Sequence, residues 1–363
     1  MKLVWAGPID NTGYGVANRR IIRAIDRYTD IDLYIKDLSG VPKSKRIIPQ
    51  EEQEWLDTMY AKHATVNDAI FVSQSVPENF PVNAGLNLIG CTTFETSGLS
   101  RMRVEFCNKV SRLFVPCHFN VKTFQSAGVK VPISVVPHVV LPPPMVDPWR
   151  PEGAKGFTFL YVADNTIRKG WDILIKAYTR EFSERDDVTL ILKMSMWDGR
   201  ITPATIVELI RREREQAKQF PQIIIMTNLL EDNEIWSLIT GCDCFVLPSR
   251  GEGWGLTMSD AMAAGRPTIG TNWSGNLEYM NNENSFLIDV EKLVPAPTML
   301  QNSGYGAGQL LAEPSCVSLQ KIMRHVYTDK EDAKRKGDKA REIVETFGAR
   351  AVAETVLKEL TNG

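Results

Sequence analysis

The stretch Pro248-Ser249-Arg250-Gly251-Glu252-Gly253-Trp254-Gly255-Leu256-Thr257-Met258-Ser259-Asp260-Ala261-Met262-Ala263-Ala264-Gly265-Arg266-Pro267 is the most informative in the chain. The apolar run Cys244–Leu247 before it reads as a buried strand, and a helix is expected from near Thr257. Between the two, Gly251, Gly253 and Gly255 let backbone approach a ligand closely. Free N–H groups at the helix start suit phosphate oxygens. Glu252 precedes this anion site, and Asp260 lies eight residues on. A carboxylate repels phosphate, so its natural task here is to accept hydrogen bonds from sugar hydroxyls. Thr257-x-x-Asp260 also has capping-box spacing, which would merely start the helix. Both readings of Asp260 stand at this level. Gly265-Arg266-Pro267 is a helix stop before the next strand.

The same strand, Gly-rich turn and helix open the chain. Leu3–Ala6 is apolar and β-rich, Gly13 and Gly15 lie in the loop after it, and Ala17, Ile21, Ala24, Ile25 and Tyr28 follow at helical spacing. Further strands are expected at 69–72, 86–89, 113–115 and 133–136, with a helix over 101–110. Pro137, Pro142, Pro143, Pro144, Pro148 and Pro151 then exclude both helix and central strand, and mark a linker. The βα rhythm restarts with strands at 157–162, 188–192, 223–226, 244–247 and 267–270. These runs are apolar throughout, which suits parallel strands covered on both faces. The expectation is an α/β chain of two Rossmann-like parallel-sheet domains facing each other across a hinge, residues 1–145 and 146–340. A helical tail, 341–363, crosses back to the first domain, with Phe347, Val352, Val356 and Leu360 available for docking.

Composition narrows the function classes. The 363 residues carry a formal charge of −2, which gives no strong field toward nucleic acid or anionic lipid. No stretch approaches the roughly 20 apolar residues needed to cross a bilayer. The start of the chain turns polar too early for a signal peptide, so a cytoplasmic protein is expected, with peripheral membrane contact left open. Six cysteines without a C-x-x-C pair and four scattered histidines read as reduced thiols and no zinc site. Asp30-Ile31-Asp32 has D-x-D form but lies far from the glycine-rich loop, and reads as surface. So do the basic runs Lys43-Ser44-Lys45-Arg46 and Lys334-Arg335-Lys336, which leave some room for a polyanionic or lipid-headgroup partner.

At 248–267 the chain resembles the retaining GT-B glycosyltransferases of family 4, whose nucleotide-sugar site ends in a "PS…E-G-F-G-L-P-x-L-E-A-M-A-x-G-x-P" run. Arg168-Lys169-Gly170-Trp171-Asp172-Ile173-Leu174-Ile175-Lys176-Ala177 resembles that family's "KG-x-x-x-L-I-x-A" helix start. Phe114–Phe119, Val135–Val140 and Ser274-Gly275-Asn276-Leu277-Glu278 resemble three further motifs, in the family's order.

The resemblance implies transfer of a sugar from a UDP- or GDP-sugar to a hydroxyl acceptor, with retention and without a metal or other cofactor. It implies Lys169 on the donor diphosphate, Glu252 on sugar hydroxyls, and the Gly253, Trp254, Gly255 and Leu256 amides nearby. Asp260 stands where the family's ribose-binding Glu sits, one methylene shorter, and Asn228 and Leu230 follow a strand at the height of the base. Gly13 and Gly15 would bring amides toward diphosphate or acceptor. Two departures stand out. An Arg often found six residues before the Lys is Ala163 here, which makes Arg168 and Lys193 the alternative phosphate cations. The first domain lacks the family's cleft His, which leaves Glu95 as the carboxylate for acceptor binding or base catalysis. His118 reads as a packed structural residue, and Glu278 as a loop-fixing one. The acceptor stays open among glycan, lipid-linked sugar, protein, metabolite and modified nucleic acid. A catalytically impaired nucleotide-sugar-binding protein is the alternative.

Overall fold

The computed structural model describes residues 1–42, 46–62, 69–82, 87–196, 199–216, 219–297, 304–306 and 308–362. Lys43, Ser44 and Lys45 of the first basic run, His63 and Leu86 lie outside the described residues. The chain divides into two compact units: Met1–Leu141 with Pro295–Leu310 and Thr346–Gly363, and Pro142–Val294 with Leu311–Glu345.

The first unit holds β1 (Lys2–Gly7), β2 (Asp32–Asp37), β3 (Ile70–Gln74), β4 (Leu88–Cys91), β5 (Arg112–Val115) and β6 (Ile133–Val135). They form one parallel sheet in the order β2-β1-β3-β4-β5-β6. Four helices connect them: α1 (Gly13–Tyr28), α2 (Gln50–Tyr60), α3 (Arg101–Cys107) and α4 (His118–Ala127). α1 starts where the Thr12 hydroxyl accepts the Gly15 amide at 3.1 Å, and buries Ala17, Ile21, Ala24 and Ile25. His118 is exposed at the start of α4 rather than packed, because the first turn of that helix leaves the sheet.

The second unit repeats the plan with β7 (Phe157–Asp164), β8 (Val188–Ser195), β9 (Gln222–Met226), β10 (Cys244–Leu247), β11 (Thr268–Thr271) and β12 (Phe286–Ile288). This sheet is also parallel, in the order β12-β11-β10-β7-β8-β9. Its helices are α5 (Trp171–Glu181), α6 (Pro203–Gln216), α7 (Asp232–Gly241), α8 (Leu256–Ala263), α9 (Cys316–Thr328) and α10 (Lys330–Val344). The strand order reverses between β7 and β10, and ligands of open α/β sheets bind outside the carboxyl ends of the strands at such a switch point. The equivalent point of the first unit lies between β1 and β3.

Three features lie outside the sequence reading. β12 is an added edge strand. β13 (Val290–Pro295) and β14 (Leu310–Pro314) form a separate two-stranded sheet, and residues 295–310 between them belong to the first unit. The proline-rich linker is also fastened at its far end. The Trp149 amide donates to the Ser237 carbonyl (2.9 Å), and Arg150 Nε donates to the Gly241 carbonyl (2.7 Å). A Cβ on Gly241 would collide with the Trp149 carbonyl.

α11 (Ala349–Thr361) completes the first unit. Its Val352, Ala353, Val356 and Leu360 lie in one buried cluster with Ile21, Ile22 and Ile25 of α1 and with Leu3 and Trp5 of β1. Five cysteines are buried, Cys316 is half-buried, and all six are free thiols. Among the described residues no helix is long and apolar enough to cross a membrane. The fully buried Ile25 joins α1 to α11, so Ile25→Ala is expected to lower stability by about 2–5 kcal/mol, read as a lower midpoint in chemical denaturation.

Candidate functional site

The loops after β7 and β10 meet at the switch point. After β7, Asp164 accepts the Thr166 amide at 2.9 Å, and a single turn, Ile167–Lys169, presents Arg168 and Lys169. Gly170 follows with φ +72°, and a Cβ there would collide with the Pro248 carbonyl of the other loop. The two loops are stitched together: the Arg250 amide donates to the Arg168 carbonyl (2.6 Å), and Ser249 Oγ donates to the same oxygen (3.2 Å). Arg250, 6% exposed, is a structural clamp. Its guanidinium binds Asp172 of α5 through two hydrogen bonds (2.8 and 2.9 Å) and Glu313 of β14 through two more (3.0 and 3.1 Å).

This clamp presents a charge knot. Lys169 Nζ donates to both oxygens of Glu252, at 2.7 and 3.0 Å. Arg168 Nη1 donates to the Gly251 carbonyl at 2.7 Å and to Glu252 Oε1 at 3.3 Å. Glu252 is 5% exposed. Burial pushes its carboxyl up, but the charges of Lys169 and Arg168 and the hydrogen bonds from Lys169 outweigh it and hold Glu252 below the usual glutamate range. Asp164 is held low in the same way, against its burial, by Lys169, Arg168 and Thr166.

The loop then turns into α8. Gly255, with φ +93°, occupies the N-cap position and has no side chain to cap the helix. The helix therefore begins with amides that no side chain satisfies, which is a ready anion seat. Thr257 does not form the capping box that its spacing allowed: its hydroxyl donates to the Val162 carbonyl at 3.1 Å. The reason is the left-handed glycine, which starts the helix at Leu256 and turns Thr257 toward β7. Asp260 is buried on this helix at 6% exposure. The Trp254 ring is core, 4.9 Å from the Tyr279 ring, with Nε1 donating to Ser259 Oγ at 3.2 Å, so only backbone of Trp254 faces the site.

One strained residue supports the loop. Ser274 has φ +78° and is the single non-glycine residue with positive φ among the described residues. Its Oγ accepts the Glu252 amide at 2.9 Å, while the Gly275 amide donates to the Glu252 carbonyl at 2.9 Å. Lys193, 3% exposed, lies in β8 two residues before its end, with Asn228 exposed and Leu230 half-buried in the loop after β9. Glu278 ends the short turn Gly275–Glu278.

In the first unit the Gly15 amide is taken up by the Thr12 cap of α1, and a Cβ on Gly15 would collide with Asp10; space beside Gly13 is open. Glu95 accepts a hydrogen bond from the Tyr305 hydroxyl (3.1 Å), whose ring lies 5.1 Å from that of Phe94. Tyr305 comes from the 295–310 excursion and had no sequence signal. Asp30 and Asp32 are exposed. Among the described residues, no group of three or more His, Cys, Asp or Glu is placed to hold a metal ion.

Residues 156–299 match the family model described as glycosyl transferases group 1. No sequence among curated proteins matches the chain. HepE of Anabaena, solved with UDP and glucose, superposes with a TM-score of 0.67 at 13% identity, covering 100% of both chains. Sucrose-phosphate synthase of Thermosynechococcus elongatus gives 0.67 at 14% identity, covering 100% of this chain and 98% of that one. WaaG, a glycosyltransferase involved in lipopolysaccharide biosynthesis, gives 0.63 at 13% identity, covering 99% of this chain and 100% of that one. At these identities the likeness is one of fold.

The depressed Glu252 sets an acid limb on stability. A carboxyl lower in the folded than in the unfolded state contributes stability that is complete above its ordinary value of 4.5 and is lost as pH falls through the folded value. In Tm-against-pH curves, Glu252→Gln is expected to be less stable than wild type at pH 7, because two cations are left with Asp164 as their nearest counter-charge. The difference should shrink as pH falls below 4.5.

Proposed function

From a chain whose residues 156–299 are a glycosyl transferases group 1 domain and whose fold is that of the GT-B glycosyltransferases, we propose a metal-independent, retaining transfer of a sugar from a nucleotide diphosphate-sugar, UDP- or GDP-linked, to a hydroxyl acceptor. The observation that carries this reading is the bidentate Lys169–Glu252 pair beside the uncapped start of α8.

The donor diphosphate occupies the α8 amides with Lys169 and Arg168, which replace part of their contact with Glu252 by contact with phosphate oxygens. Arg168 thus supplies the second cation that Ala163 does not. Glu252 keeps its position through Ser274 and offers its freed lone pairs to hydroxyls of the transferred sugar. The Asp260 carboxylate takes ribose hydroxyls.

In the reaction the bond from the anomeric carbon to the diphosphate oxygen breaks as the acceptor oxygen bonds to the same face of that carbon. The site offers no obvious side-chain nucleophile, which favours a front-side path through an oxocarbenium-like state. The proton of the acceptor hydroxyl passes to the departing diphosphate oxygen, whose growing charge Lys169, Arg168 and the helix amides stabilise. Glu95, aligned by Tyr305, is the acceptor-side carboxylate. A cytoplasmic location, where such donors are made, fits this reading.

Incubation with radiolabelled UDP- and GDP-sugars is expected to release UDP or GDP, by transfer or slow hydrolysis, with equal rates in EDTA. Lys169→Ala and Glu252→Ala should each lower that release by about 10²–10³-fold. Tight donor binding with no turnover across a broad acceptor panel, or a rate abolished by EDTA and restored by Mg²⁺, overturns the proposal.

A further inference from the structure

Lys193, two residues before the end of β8, is 3% exposed, yet its ammonium makes no hydrogen bond among the described residues. An ammonium has three donors and no acceptor. Its stem is buried, but Nζ is not one of the buried polar atoms that lack a partner, so the ammonium emerges from a dry stem with its donors unspent on protein, where a methionine or leucine would simply pack. Such a group points to an acceptor brought by a ligand.

Its position says which part of the ligand. The diphosphate seat lies between the ends of β7 and β10. On the β11 side the way is closed by backbone: the Gly275 amide binds the Glu252 carbonyl, and a Cβ on Gly275 would collide with the Gly253 carbonyl. On the other side, after β9, residues 227–229 are exposed, Leu229 at 70%. Lys193 lies there, in register with Val162 of β7 and Met226 of β9. The charge that acts on its ammonium is Glu234, in the first turn of α7. Glu234 Oε2 is already engaged by the Glu231 amide at 2.8 Å, and its negative charge repels phosphate from this end of the site. A neutral acceptor on the nucleoside is what remains.

We propose that Lys193 donates a hydrogen bond to a carbonyl oxygen of the donor's nucleobase and so selects keto bases, uracil or guanine, over adenine. Adenine presents an exocyclic amino group instead, whose N–H would face the ammonium donors. The proposal rests on the donor reading given above and names the base class that the site accepts.

The test is calorimetric titration of the full chain, wild type, Lys193→Met and Lys193→Gln, with UDP, GDP and ADP. Wild type is expected to bind the better of UDP and GDP at least about ten-fold more tightly than ADP. Lys193→Met should weaken that keto nucleotide by about ten-fold or more while leaving ADP within about two-fold. Lys193→Gln, which still donates, should recover part of the difference. The Met variant keeps the buried stem and removes an ammonium that makes no hydrogen bond among the described residues, so its Tm without nucleotide should stay close to that of wild type. If it nevertheless fails to fold, the Gln variant carries the test through its UDP-to-ADP ratio, which must fall between that of wild type and unity. Equal losses for all three nucleotides would assign Lys193 to phosphate or ribose and overturn the proposal, as would an unchanged preference in the variants or no preference in wild type. A wild-type chain that binds none of the three overturns the donor reading itself.

Discussion

Two cations on one buried carboxylate hold the second unit's loops in place. Lys169 and Arg168 are sequence neighbours on one turn, and their like charges would drive that turn apart without a counter-ion. Glu252, delivered from the other loop, is that counter-ion. On the proposed reading, the carboxylate stands in the electrostatic place of the donor diphosphate and keeps the two cations positioned for it. In that proposal, donor binding exchanges one set of charge-assisted hydrogen bonds for another, without a costly ordering of long side chains.

This knot needs a rigid frame, and the frame is largely polar. Arg250 joins the start of α5 to β14 through Asp172 and Glu313, and the left-handed Gly170 lets the two loops touch. Ser274 accepts an unfavourable backbone conformation to place its hydroxyl under the Glu252 amide. Strain of this kind persists only where the surroundings over-determine it. Its occurrence one hydrogen bond from the central carboxylate fits a loop held in one geometry for binding.

What the sequence made legible were features whose chemistry is local. The unbroken apolar runs announced parallel strands buried on both faces. The Gly-rich turns marked the two loops that carry Lys169 and Glu252, and the structure joins those two side chains at 2.7 Å. What stayed hidden depends on distant partners. Thr257 and Asp260 have the spacing of a cap, and only the left-handed Gly255 decides otherwise. β13 and β14 are short, and their pairing closes over an excursion into the other unit. Tyr305 meets Glu95 across 210 positions of chain, which no local pattern records. The prolines of the linker were plain, while the seat of Trp149 against Gly241 was not, since it rests on a Cβ that is missing elsewhere in the chain.

The chain passes between the two units after Leu141, Val294, Leu310 and Glu345. Neither unit is therefore a contiguous gene segment. Dividing the coding sequence after Leu141 would leave one fragment without α11, exposing the apolar face of α1 that this helix covers, and would leave the other carrying two orphaned inserts. Any evolutionary recombination that swapped donor-side halves would have had to keep the 295–310 excursion and the last helix with their original partner. Sequence drift in those two short segments is thus tied to the amino-terminal third of the protein rather than to the residues that flank them.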